Sequence, residues 1–111
     1  MNRDYKLFLN DINECISAIE RYIKDLHEEG FLKDEKTQDA VIRKIEIIGE
    51  ATKNLPKSLK EKNSHIPWVD MGNFRNFITH SYYEISLKRI WNIVKKDIPI
   101  IKEEMKNIKL V

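Results

Sequence analysis

A single cysteine, three glycines and three prolines in 111 residues leave this chain short of the devices that bend or cross-link a fold. With one thiol, Cys15, no internal disulfide can form, and a reducing compartment fits. So few turn residues exclude a sandwich of many short strands; 41% apolar and 34% charged residues favour a few long helices. No run of about 18 uncharged apolar residues offers a membrane span. The start, MNRDYKLFLND, is charged too early for a secretory leader. The expectation is a soluble cytoplasmic protein folded as one domain over residues 1–111. A large charge excess is also missing: 20 basic against 18 acidic residues give +2, which announces no nucleic-acid partner. The halves differ, however. Residues 1–55 hold 9 basic and 12 acidic side chains (−3) and residues 56–111 hold 11 and 6 (+5). A polyanion therefore favours the second half, unless those lysines only solvate helix faces.

What the chain does have is helical periodicity. Tyr5, Phe8, Ile12, Cys15, Ile19, Tyr22 and Leu26 alternate steps of three and four, which predicts a long amphipathic helix capped by Asp4 and ended by Gly30. Cys15 lies on that apolar stripe, as a buried inert thiol would. After a turn at FLKD, Asp34 caps a second helix with Val41, Ile45, Ile48 and Leu55 inward. In it Gly49 costs about 1 kcal/mol against alanine and so marks close approach of another backbone. Arg43, Glu46 and Glu50 read as an ion-paired solvated ridge. Pro56 stops this helix. A short basic turn and the loop Asn63–Pro67 lead to a third helix over 67–80, with Pro67 at its first position. Ser86 caps the last helix, which Pro99 should kink near Lys95. The fold class is all-α, an up-and-down four-helix bundle with a short extra helix.

The stretch PWVDMGNFRNFITHSYY, residues 67–83, holds the polar groups that a core does not need. Trp68, Met71, Phe74 and Ile78 recur at helical spacing and form its buried face. Asn76 and His80 share another face, and Arg75 lies about 140° from His80 on an ideal helix. Histidine can take and return a proton near neutral pH. Arginine offers a donor fork suited to a phosphate and to the charge that grows on it during attack. The pair suffices without metal for attack of an RNA 2′-hydroxyl on its own phosphodiester, His80 moving the proton and Arg75 stabilising charge. The plainer reading gives Arg75 a carboxylate partner and His80 a helix-capping role. His27, His65 and His80 with one cysteine show no metal-ligand spacing, so no metal site is expected. No Gly-rich phosphate loop is present, so no cofactor and no nucleotide site of the chain's own are expected either. His65 is a loop residue and His27 a solvated one.

Arg75-Asn76-Phe77-Ile78-Thr79-His80-Ser81-Tyr82 resembles the motif of the HEPN superfamily: Arg, four residues, His, one residue, Tyr, with Asn directly after Arg. IGEA at 48–51, IPW at 66–68, Gly72, Trp91 and Asp97-Ile98-Pro99 are similar to the HepT-like toxin branch, and the resemblance runs over nearly the whole chain. It implies a HEPN-like bundle and a metal-independent endoribonuclease, the toxin of a type VII toxin–antitoxin pair. It also implies a homodimer whose two Arg and His motifs line one cleft, which would meet the geometric difficulty of 140° on one helix. The implied antitoxin is a minimal nucleotidyltransferase that attaches AMP to the motif tyrosine. Carried over, Arg75 and His80 are catalytic, Asn76 supports them, and Tyr82 is the site of AMPylation, with Tyr83 adjacent. Ser81 departs from the acidic residue many relatives carry there, which bears on the tuning of His80 or on antitoxin contact. The rival readings are a non-catalytic helical module that binds a nucleotide, RNA or partner in the same cleft, and a general nucleic-acid binder using the basic half.

Overall fold

The computed structural model describes residues 4–80 and 86–111, by backbone alone for 76–80. Among the described residues there is no strand, and the all-α expectation holds. Helix α1 spans Tyr5–Ile23, α2 Glu28–Leu32, α3 Glu35–Lys53, α4 Lys57–Lys62 and α5 Trp68–His80. The last helix runs as α6 (Leu87–Asn92), a π-helical turn (Ile93–Asp97) and α7 (Ile98–Met105).

Three of the expected caps form. Asp4 accepts from the Lys6 amide, Asp34 from that of Thr37, and Ser86 from that of Arg89, each satisfying a donor that the first helical turn leaves unpaired. The expected end of α1 does not. Gly30 sits inside α2, and the chain instead leaves α1 through Lys24 and an Asp25 with φ 68°, a left-handed conformation that aspartate tolerates better than most residues. The supposed FLKD turn is therefore partly helical. Its Phe31 is fully buried, stacked obliquely on Trp91 with ring centroids 5.2 Å apart. Gln38 follows it inward and donates to the Phe31 carbonyl at 2.8 Å. His27 precedes α2 as an exposed residue.

Pro99 acts near Lys95, as its missing N–H requires, but the helix answers with a π turn. The Ile98 amide reaches back to the Ile93 carbonyl, so the ladder shifts from four residues to five. Pro67 lies just outside α5, its carbonyl accepting from the Met71 amide. Helix α3 is central, packed along α1 on one side and α5 on the other, while α7 touches α1 and α6 touches α2. Ile12, Ile19, Phe31, Ile45, Ile48, Met71, Ile90 and Ile98 supply much of the fully enclosed core. No helix is long and apolar enough to cross a membrane among the described residues.

Candidate functional site

The site is built where α3 and α5 meet. A Cβ placed on Gly49 would lie 2.7 Å from the Arg75 amide nitrogen and 2.8 Å from its Cβ, so no larger residue fits this crossing without movement. The close approach expected of Gly49 is thus present, and the backbone it admits is that of Arg75. Trp68, Met71 and Phe74 are buried as expected and fix the rotation of α5. That rotation sends the Arg75 side chain out of the core. It is 44% exposed, with Nε 3.5 Å from Oε1 of Glu50, which is equally exposed.

Glu50 therefore does not complete the expected ridge. Arg43 pairs with Glu46, and Glu50 turns to α5 instead. Beyond it the end of α3 contributes Lys53 and Asn54. The Asn54 Nδ2 donates to the Glu50 carbonyl at 2.8 Å, which ties the last turn together. A Cβ on Gly72 would meet Lys53 Cγ and Cε at 3.8 and 3.9 Å, so the lysine stem lies over α5 one turn before Arg75. Glu50, Lys53, Asn54 and Arg75 line one shallow open cleft of about 280 Å³. It holds two cations, one carboxylate and an amide.

Of the residues singled out by the sequence, Arg75 is placed at this cleft. His80 is the last residue of α5, and its side chain and that of Asn76 lie outside the described residues, as do Tyr82 and Tyr83. His65 is elsewhere, its Nε2 3.7 Å from Oε2 of Glu104 on α7. Cys15 is buried, and burial pushes its thiol above the ordinary value, as suits an inert core group. Among the described residues no three His, Cys, Asp or Glu side chains gather as a metal centre requires. Glu50, Lys53 and Asn54 escaped sequence reasoning as site residues because helical spacing gave Glu50 a local partner. The signal that pointed to them was Gly49, which marks where α5 crosses.

Comparison with known proteins gives the cleft its context. The family model described as "Ribonuclease HepT-like" matches residues 12–108. A Thermococcus cleftensis protein named "Probable ribonuclease HepT" is 41% identical over 98% of this chain and 99% of its own length. A Methanocaldococcus jannaschii protein named "Gamma-glutamylcyclotransferase and putative RNase" is 48% identical over 97% of this chain, which spans only 49% of that longer protein. A Caldanaerobacter subterraneus protein named "Putative RNase" is 39% identical over 87% of this chain and 86% of its own. No solved structure gives a significant match. With a family model covering all but the ends, and a 41% identical relative matched over 99% of its own length, the chain belongs to the HepT-like ribonuclease family.

Proposed function

We propose that this chain is a metal-independent endoribonuclease and the toxin of a type VII toxin–antitoxin pair. The observation that carries the reading is Arg75. In a chain of this family, the motif arginine stands at the surface of a rigid helix crossing, beside a second cation, and is not consumed in the core. In the proposed reaction the 2′-hydroxyl of RNA gives its proton to His80 as the 2′-oxygen bonds to phosphorus. The P–O5′ bond breaks, a proton passes to the leaving 5′-oxygen, and a 2′,3′-cyclic phosphate and a 5′-hydroxyl result. Arg75 balances the added negative charge on the phosphoryl oxygens, and Asn76 supports the pair. The second Arg and His of the cleft come from another copy of the chain in a homodimer. A minimal nucleotidyltransferase serves as antitoxin by placing AMP on Tyr82.

Purified protein incubated with total cellular RNA in excess EDTA tests the chemistry. Cleavage by the parent is expected to fall about 100-fold or more in Arg75→Ala and in His80→Ala, the usual scale for losing one charge stabiliser or one proton-transfer group. Equal cleavage by parent and both variants refutes the site. Co-expression with the nucleotidyltransferase should add one adenylyl mass to the tryptic peptide containing Tyr82, and Tyr82→Phe should remove it. An unchanged adduct in that variant moves the assignment to Tyr83.

A further inference from the structure

We infer that Glu50 is a positioning residue for Arg75, an inference that rests on the ribonuclease reading of the cleft. Glu50 stands one position after the glycine that receives the Arg75 backbone, so the step from α3 to α5 that brings the two helices together also brings the carboxylate to the guanidinium. The contact is to Nε, 3.5 Å from Oε1. In the free chain it is an ion pair and not a hydrogen bond. Drawn in when substrate binds, as long contacts of an empty site are, it sets the guanidinium plane while the two Nη groups stay available as a fork for a phosphate.

Stability does not account for the pair. Both side chains are 44% exposed, and ion pairs that wet contribute little to folding. A carboxylate beside a phosphate-binding arginine also opposes substrate through charge. The placement makes sense if orientation during turnover outweighs that repulsion, since an arginine on a long flexible stem must otherwise be ordered by the substrate itself. Lys53 lines the same cleft, so the carboxylate stands there with two cationic side chains. The Asn54 amide, bonded to the Glu50 carbonyl, holds the helix end that presents Glu50 and Lys53.

Two variants separate orientation from charge. Glu50→Gln keeps an acceptor for Nε and removes the negative charge, so kcat should stay near the parent's while KM falls. Glu50→Ala removes both, so kcat should drop about tenfold, the order expected for a misplaced catalytic group, with KM no higher than the parent's. Glu50→Ala with the parent's kcat, or Glu50→Gln losing as much as Glu50→Ala, overturns the inference. A second measurement does not require turnover. The 15N–1H correlation of Arg75 Nε, assigned by its loss in Arg75→Lys, should be sharp and dispersed in the parent and in Glu50→Gln, and should collapse toward the free-arginine position in Glu50→Ala. If the parent cleaves no RNA, the functional reading falls and this spectrum alone decides whether Glu50 fixes Arg75. A signal unmoved in Glu50→Ala shows that it does not.

Discussion

Asp97 is a residue whose charge the fold opposes. It closes the π turn beside a cleft it shares with Asp70, Asn73, Phe74, Arg89 and Asn92, and burial foremost, then the charge of Asp70, raises its carboxyl above the ordinary value of 3.8. The folded chain therefore holds this proton more tightly than the unfolded chain does. As pH rises through the interval between those two values the unfolded state gives up its proton first, and stability falls. Asp97→Asn should raise the urea midpoint at pH 7 and give no gain at pH 3, where the parent is protonated in either state. Equal gains at both pH values would show that packing, not charge, is responsible. Cys15 makes the complementary case. At 5% exposure with its thiol pushed up, it should resist a thiol reagent at pH 7 until urea unfolds the chain.

Among elements, the contact of α3 with α5 sets the geometry of the cleft, and the two glycines nearby test it in opposite directions. Gly49→Ala gains helix propensity but forces a methyl to within 2.8 Å of Arg75 backbone and Cβ atoms, so overpacking should win, with a net loss of about 1–2 kcal/mol and impaired cleavage as Arg75 is displaced. Gly72→Ala meets only ordinary contacts with the Lys53 stem at 3.8 Å or more and should gain up to about 1 kcal/mol. Thermal denaturation of both variants checks the pair of signs. Gly49 was readable from the sequence because a helix-weakening residue in a strong helical pattern asks for a reason. Gly30 misled for the same kind of reason: a glycine after a long stripe reads as a stop. The actual exit uses Asp25 at φ 68°, seven residues after the buried Ala18, where nothing in composition distinguishes aspartate as a cap from aspartate on a solvated face. The π turn was half visible. Pro99 told where the ladder breaks, but whether the helix kinks or widens depends on keeping Ile93, Val94 and Ile98 in the core.

Over the whole molecule, periodicity made the four main helices legible, since burial of one stripe per helix repeats every turn. What it could not show is polar pinning between distant segments, which leaves no local pattern. Asn63 is the main example. Read as loop, it is fully buried and joins three parts of the chain. Its Nδ2 donates to the carbonyls of Leu59 and Lys109 at 2.9 and 2.8 Å, its Oδ1 accepts from the Lys109 amide at 2.7 Å, and its own carbonyl takes the Trp68 indole N–H at 3.0 Å. Lys62 bonds the Leu110 carbonyl and Tyr5 bonds Val111, so the last residues are fastened to both α4 and α1. Asn63→Ala should cost about 2–3 kcal/mol, because three bonds are lost and buried partners are left unsatisfied. Deleting residues 109–111 removes the same tail bonds from the other side. If Asn63 acts chiefly by holding the tail, the double variant should cost clearly less than the two single losses added, a coupling that urea denaturation of all four proteins measures directly. Strict additivity would mean that the Asn63 side chain stabilises the end of α4 through Leu59, and that the tail is held by Tyr5 and Lys62 independently.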